Sequence, residues 1–156
     1  MCFDWGGTLM SEVGPADIPM ALWPTVEVLP GARECLSLLA GHLPLAIASN
    51  ASVSDGEMIR RALARVGLAR FFTAVFCRAD LGAGKREPAF WTEAVRGLGV
   101  APESIAMVGD SLEDDVLAPR RCGVQTVWLN AGPAPAGVLA VDTLPRFAAW
   151  VLAARP

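Results

Sequence analysis

Met1-Cys2-Phe3-Asp4-Trp5-Gly6-Gly7-Thr8-Leu9 places a carboxylate where a short apolar run gives way to a glycine turn and a hydroxyl. An acid at the carboxyl end of a buried strand lies at an edge of a sheet, where open α/β sheets bind their ligands. Three residues before Asp4 are few for a central strand, so either the strand is clipped or the natural chain begins further upstream.

The rest of the chain alternates short apolar or β-branched runs with helical patterns, which predicts a parallel sheet flanked by helices. The predicted strands are residues 1–4, 45–49, 73–77, 105–109 and 125–129. The predicted helices are residues 32–41, 55–66, 88–98, 113–122 and 144–153. We therefore expect an α/β fold, a three-layer α/β sandwich on a Rossmann-like doubly wound parallel sheet, in a single domain over residues 1–156.

Local signals refine the helices. Ser54, with Glu57 three residues later, predicts a capping box at the start of the second helix. Pro119 is expected to kink or shorten the fourth helix, because it has no N–H to donate. Three apolar residues of the last helix are expected to pack onto the sheet: Phe147, Trp150 and Val151.

Composition excludes several classes of function. The net charge of −3 comes from acidic and basic residues that are interspersed, so no basic stripe predicts nucleic-acid binding. No apolar run approaches the roughly 18 residues that span a bilayer. The four cysteines are widely separated, without a C-x-x-C pair or a nearby histidine, and no export signal is visible, which favours reduced thiols in a cytoplasmic protein.

Four polar groups lie at predicted strand ends or helix starts: Asp4; Ser49 with Asn50; Lys85, the only lysine; and Asp110 with Asp114 and Asp115. Each alone is an ordinary turn former, helix cap or surface charge. Because the carboxyl ends of parallel strands meet at one edge of the sheet, the four groups are expected to line one crevice.

In this order the four groups resemble motifs I to IV of the haloacid dehalogenase (HAD) superfamily. The opening resembles the motif D-x-D-G-T, with Gly6 in place of the second aspartate, and residues 109–123 carry the most specific part of the likeness. The resemblance covers nearly the whole chain. It implies a phosphohydrolase in which Asp4 is the nucleophile and forms an aspartyl-phosphate.

The resemblance also assigns roles to the other positions. Ser49 and Asn50 match the groups that bind a transferring phosphoryl oxygen, and Lys85 matches the cation that holds nucleophile and phosphate together. A Mg²⁺ ion is expected on three oxygen ligands, from Asp4, the main-chain carbonyl of Gly6 and Asp110.

Three further residues near these motifs receive weaker roles. Asp115 matches the acid that orients the water ligands of the metal or the lysine, and it counts among the catalytic residues. Asp114 is its exposed neighbour. Thr8 is expected to stabilise the turn rather than to take part in the chemistry.

The departure at Gly6 bears on turnover, because the missing aspartate normally protonates the leaving group and then activates water. General acid–base assistance contributes about 10²–10⁴-fold, so hydrolysis of ordinary phosphate esters is expected to be slow. Three alternatives follow: a slow or substrate-assisted phosphatase, an enzyme acting on another bond, or a pseudophosphatase that binds phosphate and metal without turnover.

The opening also resembles the D-W-A-G-T motif of phosphonoacetaldehyde hydrolases, which lack the same acid. Those enzymes form a Schiff base through a lysine of a helical cap, and this chain has no lysine besides Lys85, so that chemistry is disfavoured. The dehalogenase interpretation is also disfavoured, since Asp110 and Asp115 keep the metal-binding form of motif IV.

Residues 10–30 stand where a cap would be inserted. They contain four prolines and no helical period, which predicts a long loop, and loops of this length are usually functional or mobile. The resemblance then implies a capless domain that takes a phosphorylated small molecule or a bulky phosphorylated substrate. Four apolar residues of the loop either contact a second subunit in a homodimer or, more commonly, pack back on their own domain: Ile18, Met20, Leu22 and Trp23.

Overall fold

A single parallel sheet organises residues 1–154, the part of the chain that the computed structural model describes. Its six strands run in the order β3-β2-β1-β4-β5-β6, and every neighbouring pair is parallel. The strands are β1 (Cys2–Phe3), β2 (Leu45–Ser49), β3 (Phe72–Cys77), β4 (Ala106–Gly109), β5 (Gln125–Leu129) and β6 (Ala140–Val141).

Helices connect the strands and cover both faces of the sheet. They are α1 (Ala32–Leu39), α2 (Gly56–Arg65), α3 (Arg78–Leu81), α4 (Pro88–Leu98), a π-helical turn (Leu112–Leu117), α5 (Ala118–Arg121) and α6 (Leu144–Ala153). Within residues 1–154, no helix has the length and apolar character that crossing a membrane requires. The four cysteines are free thiols.

Alternation along the strands builds two cores, because successive side chains of a strand point to opposite faces. Phe3, Ile47 and Val108 belong to the larger core, which they share with residues of α1, α2 and α6. Cys2 and Met107, one position earlier on their strands, belong to the second core, which α4 covers. The predicted three-layer α/β fold with a parallel sheet is confirmed.

The short β1 is stable because it is paired on both sides. Cys2 lies opposite Ala46 and Met107, and neither Cys2 nor Phe3 is exposed to solvent. The Asp4 N–H continues the ladder by donating to the Val108 carbonyl at 2.9 Å. β1 is also where the strand order reverses, since β2 lies on one side and β4 on the other, and this switch point opens a crevice beyond the strand ends.

The predicted helix over residues 113–122 is wrong in its detail. The chain winds as a π-helix over Leu112–Leu117 and only then as α5. Leu117 and Ala118 keep helical backbone angles, so the π-helix runs directly into α5, and Pro119 lies in the first turn of α5. The proline therefore lies where the winding of the helical segment changes. Strand β6, which has two residues, escaped prediction.

Two local predictions were wrong. The α2 N-cap is Asp55, whose Oδ1 accepts from the Met58 N–H at 2.8 Å, so Ser54 and Glu57 form no capping box. Trp150 is 44% exposed, whereas Phe147 and Val151 are buried as predicted. Residues four apart share a helix face, and Trp150 lies at the edge of the face that Phe147 and Val151 form.

The segment 10–30 is folded onto the domain. It contains one 3₁₀ turn, Met20–Leu22, and an antiparallel bridge joins Met10 to Val28. The Arg65 guanidinium of α2 donates to three of its backbone carbonyls, those of Ala21, Trp23 and Pro24. Met20 and Trp23 are buried, while Ile18 and Leu22 are 41% and 62% exposed.

Replacing Phe147 with alanine tests the packing of α6. Phe147 is fully buried and meets Phe3 edge to face, with ring centroids 5.9 Å apart. We expect Phe147→Ala to lower the free energy of unfolding by about 3–5 kcal/mol in urea denaturation, because it leaves a cavity beside the central strand. The control Trp150→Ala removes a ring from the exposed side and is expected to cost less than about 1.5 kcal/mol. Equal losses in the two variants would contradict this orientation of α6.

Candidate active site

A cavity of about 550 Å³ lies at the carboxyl ends of β1, β2 and β4. It is lined by all seven residues that the sequence predicts for the site: Asp4, Gly6, Ser49, Asn50, Lys85, Asp110 and Asp115. The segment 10–30 forms part of its wall, through Glu12, Ala16, Ile18, Met20 and Trp23.

Lys85 lies at the centre of the polar wall, where it is only 2% exposed. Its Nζ donates to Asp4 Oδ1 at 2.6 Å and to Asp115 Oδ1 at 2.5 Å. Burial by itself would lower the pKa of Lys85, but the charges of Asp4 and Asp115 outweigh it and raise the pKa above its ordinary value. The ammonium therefore stays charged and bridges two carboxylates.

The pKa of Asp4 is shifted towards the neutral form. Burial, helped by the carboxylates of Asp115 and Asp110, raises the pKa of Asp4 to about 7, although the charge of Lys85 lowers it. Oxygen atoms of Asp4, Asp110 and Asp115 lie within 4.8 Å of one another. One ammonium thus faces three acids, and a divalent cation would balance the excess negative charge. Carboxylate oxygens are the ligands that hard cations prefer, so this acidic triad can bind a metal.

The three acids are not equally free to bind a cation. Both oxygens of Asp115 are engaged, since Oδ1 accepts from Lys85 and Oδ2 accepts from the Ser111 N–H at 2.9 Å. The carboxylate lies against the end of β4, where a Cβ atom on Gly109 would be 2.2 Å from Asp115 Oδ2. Asp115 therefore needs glycine at position 109, and its contacts hold Lys85 in place.

The Thr8 side chain forms hydrogen bonds beyond the turn in which it lies. Its Oγ1 lies 3.0 Å from Asp4 Oδ2 and 2.9 Å from Asp110 Oδ1, and it accepts from the Asp110 N–H at 3.2 Å. The residue is 1% exposed. The hydroxyl thus connects two acidic side chains that directly follow β1 and β4. This contact across the switch point cannot be recognised from the place of Thr8 in the turn.

Two side chains fix the backbone of Lys85. Asn50 Oδ1 accepts from the Lys85 N–H at 2.7 Å, and Trp91 Nε1 donates to the Lys85 carbonyl at 2.9 Å. Ser49 Oγ accepts from the Ala51 N–H at 3.1 Å, and within residues 1–154 its hydroxyl hydrogen has no acceptor. Ser49 can therefore donate to an anion in the cavity.

Three residues of the site were not singled out from the sequence, and two of them, Trp5 and Glu12, line the cavity. Trp91 is a core residue of α4 whose indole reaches the lysine backbone. Trp5 is 4% exposed, and its Nε1 has no hydrogen-bond partner within the described residues. Glu12 belongs to a segment without periodicity, so only its three-dimensional position reveals it. Asp114, predicted as an exposed neighbour, is partly buried and pairs with Arg86.

Comparison with known proteins gives a consistent picture. A family model described as haloacid dehalogenase-like hydrolase matches residues 18–123. A glyceraldehyde 3-phosphate phosphatase of Methanopyrus kandleri is 36% identical over 71% of this chain and 45% of its own. A phosphoserine phosphatase of Thermus thermophilus is 40% identical over 51% of this chain and 32% of its own. The chain thus spans less than half the length of these relatives.

A solved structure matches nearly the whole of this chain. An uncharacterized protein from Listeria monocytogenes serotype 4b has a TM-score of 0.85 with this chain. The match covers 97% of this chain and 96% of that one at 23% identity. This likeness concerns the fold alone.

Thr8 offers a test of the contact between β1 and β4. Thr8→Val keeps the shape of the side chain but removes the hydroxyl, so the Asp110 N–H loses its acceptor and the carboxylates of Asp4 and Asp110 lose the one hydroxyl hydrogen that lies between them. We expect a loss of about 2 kcal/mol in the free energy of unfolding, measured in urea. Thr8→Ser keeps the hydroxyl and is expected to lose only the methyl contribution, about 0.8 kcal/mol. A serine variant as unstable as the valine variant would contradict the bridging role.

Proposed function

Because the chain belongs to the haloacid dehalogenase-like hydrolases, we propose that it is a phosphohydrolase in which Asp4 attacks the phosphorus of a phosphate ester. The observation that carries the proposal is the buried contact of Lys85 with Asp4 at the wall of the cavity. A fixed ammonium beside the nucleophile offsets the repulsion between a carboxylate and an anionic substrate.

The chemistry has two steps. An Asp4 oxygen bonds to phosphorus while the bond from phosphorus to the leaving oxygen breaks, which gives an aspartyl-phosphate and an alcohol once that oxygen gains a proton. Water then adds to phosphorus, loses a proton and releases Asp4 and inorganic phosphate. Ser49 and Lys85 would bind the phosphoryl oxygens through both steps, with the Asn50 backbone N–H as a further donor.

The metal we propose is Mg²⁺, held by Asp4, the Gly6 carbonyl and Asp110. When bound, it would neutralise charge on the phosphoryl group and orient it towards the nucleophile. The donor set fits, because the nearby acids are hard oxygen ligands with an excess of negative charge. Asp115 would act through Lys85 and through the surroundings of the metal rather than as a primary ligand.

Substrate class follows from the open site and from the relatives. Those relatives are named for small phosphorylated molecules, glyceraldehyde 3-phosphate and phosphoserine, so a phosphorylated small molecule is the substrate class we propose. Residues 1–156 would act as one capless domain with the segment 10–30 as its local cover, which also leaves room for a bulky substrate.

The exposed Ile18 and Leu22 are the side chains that a second subunit would contact in a homodimer. Free thiols fit a cytoplasmic setting.

A second candidate is a pseudophosphatase that binds phosphate and metal without turnover. Gly6 favours it, because the glycine supplies no side chain for proton transfer. The two candidates differ in multiple turnover. Rapid release of phosphate over many cycles would exclude the pseudophosphatase.

Replacing the nucleophile tests the phosphohydrolase directly. Asp4→Asn is expected to lower kcat/KM on a panel of phosphate esters by at least about 10³-fold, since it removes the group that forms the intermediate. Phosphate release by the purified protein is the measurement. Asp17→Asn, an exposed acid of the segment 10–30 outside the cavity lining, is the matched control and should leave the rate unchanged. Turnover that survives in Asp4→Asn would rule out this mechanism.

Mg²⁺ binding is testable without activity. We expect saturating Mg²⁺ to raise the melting temperature of the wild-type protein, with a stabilisation of about 2.7 kcal/mol at 100 times Kd. Asp110→Asn should lose this shift. Without metal it should melt no lower than the wild type, because a like charge beside Asp4 is gone. Asp17→Asn should keep the full shift. A shift of equal size in Asp110→Asn would contradict the proposed ligand set.

A further inference from the structure

The space beside Gly6 is filled by a carboxylate from elsewhere in the chain. A Cβ atom on Gly6 would lie 2.2 Å from Glu12 Oε1, 2.7 Å from its Cδ and 2.8 Å from its Cγ. Real Cβ atoms essentially never approach another heavy atom within 3.0 Å. Glu12 and a side chain at position 6 therefore exclude each other, and glycine is what lets Glu12 occupy this place.

The backbone delivers Glu12 to this position. The Gly7 N–H donates to the Met10 carbonyl, and the Met10 N–H donates to the Trp5 carbonyl, each at 2.9 Å, so the chain turns back beside Gly6. The Ser11 N–H then donates to the Glu27 carbonyl at 2.9 Å. These bonds hold the residues on either side of the turn and fix where Glu12 leaves the backbone.

Glu12 is also placed where substrate and water can reach it. It is exposed and lines the same cavity as Asp4, Lys85 and Asp110. Asp17 and Glu27, the other acids of the segment 10–30, do not line the cavity. Unlike Asp4 and Asp115, the Glu12 carboxylate forms no hydrogen bond or ion pair with Lys85 in the described structure. Of the remaining acids at the cavity, Asp114 pairs with Arg86 and Asp110 is a proposed Mg²⁺ ligand, so Glu12 is the acid that neither an ion pair nor the proposed metal engages.

We propose that Glu12 is the proton-transferring catalytic residue of this site and takes the place of the acid that Gly6 lacks. This inference rests on the proposed phosphohydrolase. Protonated Glu12 gives its proton to the leaving oxygen as the bond from that oxygen to phosphorus breaks. The resulting carboxylate takes a proton from water as the water oxygen bonds to phosphorus and Asp4 departs, which returns Glu12 to its starting state.

With Glu12 in this role, Gly6 has a different consequence for turnover. The glycine does not by itself remove proton transfer, because Glu12 of the segment 10–30 supplies a carboxylate beside the turn that follows the nucleophile. A flexible glutamate can swing aside, so an aspartate introduced at position 6 would displace Glu12 and assume its role. The two positions are then alternatives, and their effects on rate should not add.

The first experiment compares Glu12→Gln with Glu27→Gln on two substrates. For an alkyl phosphate, whose leaving oxygen needs a proton, we expect Glu12→Gln to lower kcat/KM on the order of 10²-fold. For p-nitrophenyl phosphate, whose leaving group needs none, kcat/KM should stay within about threefold while kcat falls and aspartyl-phosphate accumulates. Glu27→Gln should match the wild type on both substrates. An equal loss of kcat/KM on both substrates, or no loss on either, would overturn the proposal.

The second experiment repeats Glu12→Gln on the Gly6→Asp background. We expect the double variant to have the same kcat/KM on the alkyl phosphate as Gly6→Asp alone, because Asp at position 6 has already replaced Glu12. A loss from Glu12→Gln that is undiminished on this background would overturn the proposal. Thermal melting of each variant confirms that the comparison is made on folded protein.

These outcomes separate the inference from the proposed function. Turnover that requires Asp4 but ignores Glu12→Gln leaves the phosphohydrolase standing and overturns the role of Glu12 alone. Turnover that does not require Asp4 overturns both.

Discussion

The ion pairs of one buried ammonium with two buried carboxylates are the constraint on which the rest of the site depends. Lys85 can be held in the interior only because Asp4 and Asp115 accept from it. Asp4 directly follows β1, whereas Asp115 lies in the π-helical turn that follows β4. Removing both acids would leave the buried ammonium without compensation, which is strongly destabilising. The same requirement accounts for the contacts that fix the backbone of Lys85, whose N–H donates to Asn50 and whose carbonyl accepts from Trp91.

The order of the strands brings these residues together in one site. Because β1 lies between β2 and β4, residues far apart in the sequence meet beyond the strand ends, and the contact of Thr8 with Asp110 joins the two sides of the switch point. The arrangement still leaves three acids around one cation. Such an excess of like charge lowers the stability of a protein without ligands and raises its affinity for a cation, which is a common compromise at functional sites.

The sequence was sufficient for the elements that periodicity and strand-end chemistry determine. Strands β2 and β5 and helices α4 and α6 have the predicted bounds, and the seven predicted site residues line one cavity. Failures arose where a neighbour in space decided the outcome. Asp55 displaced Ser54 as the cap of α2, Trp150 lay beside the buried face of α6, and β6 is too short to leave a pattern. The hydroxyl of Thr8 gained its role from Asp110, which lies 102 residues away.

Glu12 illustrates the same limit in its strongest form. A motif compares residue types at fixed spacing. A carboxylate that reaches the space beside Gly6 from six positions later therefore goes unrecognised, and the motif indicates that the acid is missing. What proton transfer needs is a carboxylate at the right point in space, and the chain can supply it from any segment that is held there. The segment 10–30 is held by Arg65 on one side and by the bridge between Met10 and Val28 on the other. The segment that covers the cavity therefore also carries a group suited to its chemistry, and changes in the cover would alter turnover without touching the strand ends.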